Sequence, residues 1–232
     1  MIKFLEDGDF SRACTNCFNM GVPEGQMPCK ECQDMDKWVP IKRRSFPRIH
    51  RRMAGAIEEY LGNLPDAEET ANGRKDTPRR WLSALDELTS GYGVLIPSIF
   101  KVFDDIPGDQ MVFVGPVQFT SLCEHHILPF FGQAYIGYIP ASTRAVGISK
   151  LARVFYAHAR RLQVQERIGH DVVRDIMKYL QPSGAICVIK AQHLCMTSRG
   201  VKAEGCQTVT SAFEGSFKEQ VVRQEFFQLA GI

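Results

Sequence analysis

Residues 119–140 read FTSLCEHHILPFFGQAYIGYIP, and at their centre Cys123, Glu124, His125 and His126 place a thiol, a carboxylate and two imidazoles side by side. Thiolate and imidazole are ligands that zinc prefers, and a catalytic zinc takes three protein ligands and keeps one position open. Cys123 and His126 are three residues apart, so a turn or a short helical start aims both side chains at one ion and leaves His125 free to move protons. Taken alone, the motif is equally compatible with a turn whose histidines are merely solvated.

A second stretch, residues 191–196 (AQHLCM), offers another thiol at Cys195 and another imidazole at His193. Cys123, His126 and Cys195 together make a set of two thiolates and one imidazole with an open fourth position, which is typical of a catalytic zinc site. His125 and His193 each lie close in sequence to one of these ligands. The pattern predicts hydrolytic chemistry in which zinc supplies hydroxide and the two histidines transfer protons.

Several motifs occur along the chain in the order of one enzyme family. CEHH is followed by LPFFGQAYIGYIP, then by GISKLARVFYAHARRLQVQER, HLCMTSRGV and TVTSAFEGSF. With these motifs the chain resembles GTP cyclohydrolase I over roughly residues 46–230. The resemblance implies that GTP is the substrate and zinc the cofactor, and that C8 of the purine leaves as formate while the remainder rearranges to 7,8-dihydroneopterin triphosphate. It also implies the tunnelling fold and a homodecamer built from two pentamers.

The resemblance assigns roles to particular residues of this sequence. Attack at C8 of GTP puts charge on N7, for which His193 is the candidate proton donor, and His125 is placed to handle a second proton transfer. Ser149 matches the family residue that serves the later ribose rearrangement. Glu166 matches the carboxylate that binds guanine, with Gln165 beside it. The positions that match the cations around the triphosphate are Lys150, Arg153, Arg199 and Arg80. Glu124 is expected to orient a zinc-ligand histidine from outside the ligand set.

The composition is that of a globular protein of low net charge. Of 232 residues, 44% are hydrophobic and 23% are charged, and the net charge is +2 at pH 7. An anionic substrate must therefore be held by a local cluster of cations. No apolar run is long enough to span a bilayer and the charged N-terminus is unlike a signal peptide, so we expect no membrane partner and a cytoplasmic location. Without an export signal, metal ligation is favoured over disulfides for most cysteines, while Cys187 in an apolar run is expected in the core.

The first 40 residues lie outside the resemblance and contain two CxxC pairs, Cys14 with Cys17 and Cys29 with Cys32. Such pairs can close a four-thiolate zinc site, so we predict a second, structural zinc, against the alternative of free or redox-active thiols. A basic run with Lys or Arg at positions 42–44, 48, 51 and 52 follows. These two features support one alternative function, a zinc-containing nucleic-acid-binding module without turnover, although such runs are more often solvated. A second alternative is a related tunnelling-fold enzyme, such as the reductase of a deazaguanine nitrile, against which the zinc triad argues.

Apolar periodicity predicts an α+β chain in the order ββααββ, with an antiparallel four-stranded sheet and two long helices on one face. Helices are expected over residues 47–61, 77–91, 149–162, 164–180 and 220–229, strands over 111–119, 131–139, 185–193 and 207–217, and loops over 62–75 and 92–109. Thr77 and Ser149 are expected as N-caps, and Pro116 as a bulged or edge position. We divide the chain into a zinc-binding extension (1–40), an N-terminal helical region (41–110) and a catalytic domain (111–232).

Overall fold

A computed structural model of the chain describes residues 47–104 and 110–232. The predicted site at Cys14, Cys17, Cys29 and Cys32 lies outside these residues, so the second zinc stays a prediction. In the part that the structure describes, no helix has the length and apolar character needed to cross a membrane.

Seven α-helices lie within residues 47–104 and 110–232, three of them before residue 89 and four after residue 147. They are α1 (Pro47–Gly62), α2 (Ala67–Arg74), α3 (Thr77–Leu88), α4 (Ile148–Ala159), α5 (Gln165–Tyr179), α6 (Leu194–Thr197) and α7 (Gln220–Ala230). The loop predicted over residues 62–75 is wrong, because α2 lies within it. Helix α2 has two glutamates in its first turn and Arg74 in its last turn, and these charges complement the helix dipole. Apolar periodicity does not detect a helix that is favoured by its charges. The N-cap of α3 is Asp76, so Thr77 is its first residue, not its cap.

The main sheet has the strand order β5-β2-β3-β6-β7. Its strands are β2 (Val112–Cys123), β3 (Pro129–Ile139), β5 (Leu162–Gln163), β6 (Gly184–His193) and β7 (Thr208–Gly215), and a separate two-stranded sheet pairs β1 (Val102–Asp104) with β4 (Arg144–Val146). The four predicted antiparallel strands are confirmed. The predicted strand count is wrong by one, because the two-residue β5 adds a parallel pairing at the edge. The loop predicted over residues 92–109 is also wrong, since it contains β1 and short 3₁₀ turns.

Pro116 lies at an irregularity of β2, where the register with β3 shifts between Val114 and Val117. This confirms the predicted bulge. A proline removes a ladder hydrogen bond, so a strand tolerates it where the pairing is already interrupted.

The two faces of the sheet are covered by different helices. Ala134, Ile136 and Tyr138 of β3 belong to the large core with α4 and α5, which confirms the predicted layer of two long helices. Tyr135, between them, belongs to a second cluster with Phe226 of α7, so the other face is also partly covered. Cys187 is fully buried in the large core, as predicted.

Helix α4 runs alongside β2 in the same direction. Just before α4 begins, the backbone N–H of Val146 in β4 donates to the hydroxyl of Tyr138 at 3.4 Å, and Tyr138 lies opposite the first residue of β2. Further along, the hydroxyl of Tyr156 donates to the carbonyl of Gln118 at 2.8 Å. The first turn of α4 therefore lies at the end of the sheet where β2 begins, and its last turn lies at the end where β2 reaches Cys123.

A buried ion-pair network joins α4 to α5. Nε2 of His158 lies 2.7 Å from a carboxylate oxygen of Asp175, and both side chains are buried. Arg174 also contacts Asp175, with Nε at 3.2 Å from Oδ1. Burial raises the pKa of Asp175, but the hydrogen bond with His158 and the charges of His158 and Arg174 outweigh burial, so the net pKa lies below its ordinary value. The ionised carboxylate therefore stabilises the fold.

Asp175→Asn is expected to lower the free energy of unfolding by about 1–3 kcal/mol at neutral pH, because the buried partners lose a charged acceptor. The folded pKa of Asp175 is depressed, so its contribution is complete above the unfolded value near 3.8 and is lost as the pH falls through the folded value. Urea unfolding, followed by far-UV circular dichroism, measures both effects. The exposed Glu225→Gln on α7 is the control. A deficit that does not shrink below about pH 4 would contradict the role of the charge.

Candidate metal centre and active site

The strand register brings two distant segments together at one end of the sheet. Leu122 at the end of β2 pairs with Pro129 at the start of β3, and Phe130 pairs with His193 at the end of β6. Cys123 directly follows Leu122, and α6, which contains Cys195, begins directly after His193. The thiols of β2 and α6 therefore meet across β3, although they are 72 residues apart.

A tight turn carries the histidines of the CEHH motif. The backbone N–H of Ile127 donates to the carbonyl of Cys123 at 2.8 Å, and that of Cys123 donates to Leu128 at 2.9 Å. Ile127 has φ of 55°, which is uncommon for a β-branched residue. Strained backbone of this kind persists where the surroundings fix it, and it is concentrated at functional sites.

Cys123, His126 and Cys195 converge as the sequence predicts. One ligand atom from each lies within 4.8 Å of the other two, and Nδ1 of His126 is 3.7 Å from Sγ of Cys123. Nδ1 of His125 is also 3.6 Å from that sulfur, so both histidines of the turn border the cluster. Burial and the adjacent Cys123 thiol raise the pKa of Cys195, an effect that Arg199 opposes. Two neighbouring thiols ionise more readily beside a cation, so this donor set suits a metal ion.

His193 is held on two sides. Its ring stacks on Phe130 with centroids 4.5 Å apart and planes 3° from parallel, and its Nε2 lies 2.8 Å from Oε1 of Gln165. The pKa of His193 lies below its ordinary value because the ring is partly buried. The negative charge of Glu166 opposes this effect. Glu166 is exposed in the first turn of α5, beside the buried Gln165. The start of α5 thus borders the cluster.

The sequence reasoning did not identify Arg167, which anchors the CEHH turn. Its guanidinium contacts both carboxylate oxygens of Glu124, at 2.5 and 3.1 Å, and its hydrogen bond lowers the pKa of Glu124. The backbone N–H of Glu124 also donates to the carbonyl of Gln163 at 3.0 Å. Glu124 also lies 4.0 Å from Nε2 of His125, which is not one of the three ligands, so Arg167 is its nearest charged partner. The expected contact between Glu124 and a zinc-ligand histidine stays a prediction. No local sequence pattern signals this pair, because its members are 43 residues apart.

The cations assigned to the triphosphate fall into separate groups. Nη1 of Arg199 lies 3.2 Å from Nε2 of His126, directly beside the cluster. Ser149, Lys150 and Arg153 lie in the first half of α4, which begins at the opposite end of the sheet. Ser149 is the second residue of α4 and is exposed; Gly147 occupies the N-cap position, so the predicted cap is wrong. Arg80 lies on α3 and pairs at 3.5 Å with Asp76, the N-cap residue of that helix.

Comparison with known proteins agrees with this geometry. The family model described as GTP cyclohydrolase I matches residues 53–231, which include every residue of the cluster. The chain belongs to the GTP cyclohydrolase I family. Relatives named GTP cyclohydrolase 1 include those of Gloeobacter violaceus (46% identity; 76% of this chain and 83% of the relative), Saccharomyces cerevisiae (41%; 78% and 74%) and Porphyromonas gingivalis (42%; 82% and 96%).

As a member of the GTP cyclohydrolase I family, the chain is an enzyme, and the resemblance seen in its motifs is confirmed. The family match begins at Met53, after the four-cysteine segment and the basic run. Among solved structures, an archaeosine synthase QueF-Like covers 47% of this chain and 96% of its own, at 16% identity and a TM-score of 0.35. A score this low carries no argument about the fold.

Proposed function

We propose that this enzyme hydrolyses GTP at C8, releases formate and forms 7,8-dihydroneopterin triphosphate, on a tunnelling fold. The observation that carries the proposal is the convergence of Cys123, His126 and Cys195 beside His125 and His193 in a chain of this family. The convergence also argues against a nucleic-acid module, which needs no ligand set with an open position.

The donor set fits a zinc ion. In a tetrahedral site with Zn–S of about 2.3 Å and Zn–N of about 2.1 Å, ligand atoms lie about 3.5–3.8 Å apart. The 3.7 Å between Sγ of Cys123 and Nδ1 of His126 agrees with that spacing. When bound, zinc supplies a hydroxide nucleophile at neutral pH by lowering the pKa of water to about 7. The set of three ligands leaves a position for that water, as catalytic sites require.

The surrounding side chains serve the substrate. Glu166 offers a carboxylate to the N1–H and amino group of guanine, and Arg199 places a guanidinium beside the cluster for the triphosphate. His125 and His193 border the ligand set and handle the protons at N7 and in the second hydrolysis. Help of this kind is worth about 10²- to 10⁴-fold in rate.

The position of α4 supports a homo-oligomer. Ser149, Lys150 and Arg153 are assigned to the same substrate as the metal cluster, yet they lie towards the opposite end of the sheet within one chain. A second copy brings its own α4 to the cluster if subunits join side by side. Within the described ranges β7 is an edge strand of the main sheet, and pairing between copies would satisfy such an edge. The decamer and the cytoplasmic location remain predictions.

The direct test is incubation of the zinc-loaded protein with GTP. We expect stoichiometric formate and, after oxidation, a fluorescent pterin. Absence of formate from a folded, zinc-containing protein would overturn the proposed reaction. Salt-sensitive binding to DNA or RNA in its place would favour the nucleic-acid alternative.

Mixed oligomers test whether the site is shared between copies. Lys150→Ala and His193→Ala should each be nearly inactive alone, because each lacks one part of every site. Random assembly in equal amounts should restore about a quarter of the sites, since each part then comes from a wild-type position half of the time. Arg153→Ala replaces Lys150→Ala if that variant is unstable. Native mass spectrometry confirms mixing, and mixed oligomers as inactive as their parents would contradict a shared site.

A further inference from the structure

The side-chain amide of Gln165 has only one orientation that satisfies its neighbours. Gln165 is 1% exposed, and its nitrogen lies 3.0 Å from the carbonyl oxygen of Ile189 and 3.1 Å from that of Thr208. The hydroxyl oxygen of Thr210 is also 3.1 Å from this nitrogen. Carbonyl oxygens only accept hydrogen bonds, so the NH₂ group must face them. The amide oxygen therefore faces His193, at 2.8 Å from Nε2.

This orientation decides which nitrogen of His193 carries a permanent proton. The amide oxygen of Gln165 only accepts, so Nε2 of His193 must donate to it. Nε2 is protonated both in the neutral ring with this tautomer and in the imidazolium. Only Nδ1 differs between the two states. The parallel stack on Phe130 holds the ring plane, so the bond to Gln165 and the ring orientation support each other.

We propose that Gln165 is a positioning residue that fixes the tautomer of His193 and makes Nδ1 the atom through which His193 exchanges its proton with the substrate. The inference rests on the proposed catalytic role of His193. This role differs from the guanine contact that the position of Gln165 beside Glu166 suggests. The two hydrogens of its amide already face three acceptors, on Ile189, Thr208 and Thr210, and its side chain is almost inaccessible to a substrate.

Kinetics of Gln165→Met separate positioning from substrate binding. Methionine keeps the length of the side chain but cannot hold the proton on Nε2. In a serine-protease triad, loss of the group that sets the histidine tautomer lowers kcat about 10⁴-fold. We expect kcat to fall about 10²- to 10⁴-fold, with KM for GTP within a few-fold of wild type. Thr210→Val is the matched control, because it removes one amide contact and leaves the bond to His193, so kcat should stay within a few-fold.

A large rise in KM with unchanged kcat would overturn the positioning role in favour of a guanine contact. Equal losses of kcat in Gln165→Met and Thr210→Val would overturn it in favour of general packing.

Nitrogen NMR of the wild-type protein tests the tautomer without a variant of Gln165. The zinc-loaded protein is labelled with ¹⁵N-histidine, studied in the solid state to avoid a size limit, and His193 is assigned by difference from His193→Asn. We expect a proton on Nε2 and, in the neutral ring, a bare Nδ1. A proton on Nδ1 with a bare Nε2 would overturn the inference. If the wild-type protein did not turn over GTP, the proposed function would fail, while the spectrum would still decide the tautomer.

Discussion

Cys123→Ser is expected to abolish formate release and to remove one bound zinc ion. The sulfur of Cys123 lies 3.6 and 3.7 Å from the Nδ1 atoms of His125 and His126, and it is one of three converging ligands. A serine hydroxyl is a poor substitute for a thiolate, so the ligand set loses its affinity for zinc. Elemental analysis and a formate assay on the same preparation measure both effects.

Two other cysteines provide controls for this variant. Cys206→Ser alters an exposed thiol outside the ligand set and should leave zinc content and turnover unchanged. Cys29→Ser tests the second zinc predicted from sequence: intact protein should contain close to two zinc ions, and this variant should lose one while turnover persists. Wild-type zinc content together with full formate release in Cys123→Ser would contradict the proposed centre.

Glu166→Ala is expected to lower kcat/KM for GTP by as much as about 10⁴-fold, because a site built to bind hydrogen-bond donors discriminates on that scale. Glu166 is exposed in the first turn of α5, next to Gln165, whose side chain contacts His193 beside the cluster. Steady-state kinetics with GTP and with ITP, which lacks the 2-amino group, provide the measurement. Wild type should prefer GTP strongly, and the variant should lose most of that preference.

The control for this variant is Glu225→Ala, which removes an exposed carboxylate on α7. It should leave kcat/KM for both nucleotides unchanged. If Glu166→Ala kept the wild-type preference for GTP over ITP, guanine would be recognised by other groups. Far-UV circular dichroism checks that the variant is folded.

Local chemistry explains why most elements could be predicted. The four long strands and the helices α1, α4, α5 and α7 follow from apolar periodicity, and Pro116 follows from its missing N–H. The errors lie where periodicity is weak. Helix α2 has no buried residue, and β5 consists of two residues whose pairing with β2 is non-local.

The sequence by itself determined the ligand types and the family. CEHH and HLC carry thiols and imidazoles at spacings that suit one zinc, and these motifs are local, so they can be recognised without coordinates. What the sequence could not determine is how residues far apart in the chain combine. That depends on strand register and side-chain packing, which are set by the whole core and not by neighbouring residues.

Only the tertiary structure decided the partners of the residues around the cluster. The pairing of Phe130 with His193 brings Cys195 to Cys123, and the crossing of α5 behind the strands places Gln165 on His193 and Arg167 on Glu124. Because α4 runs along β2, Lys150 lies towards the end of the sheet opposite the cluster. The sequence motif that contains Lys150 does not reveal this separation. The physical reason is that a side chain's role depends on the donors, acceptors and charges within hydrogen-bond reach, and here the chain supplies them from 28 to 72 residues away.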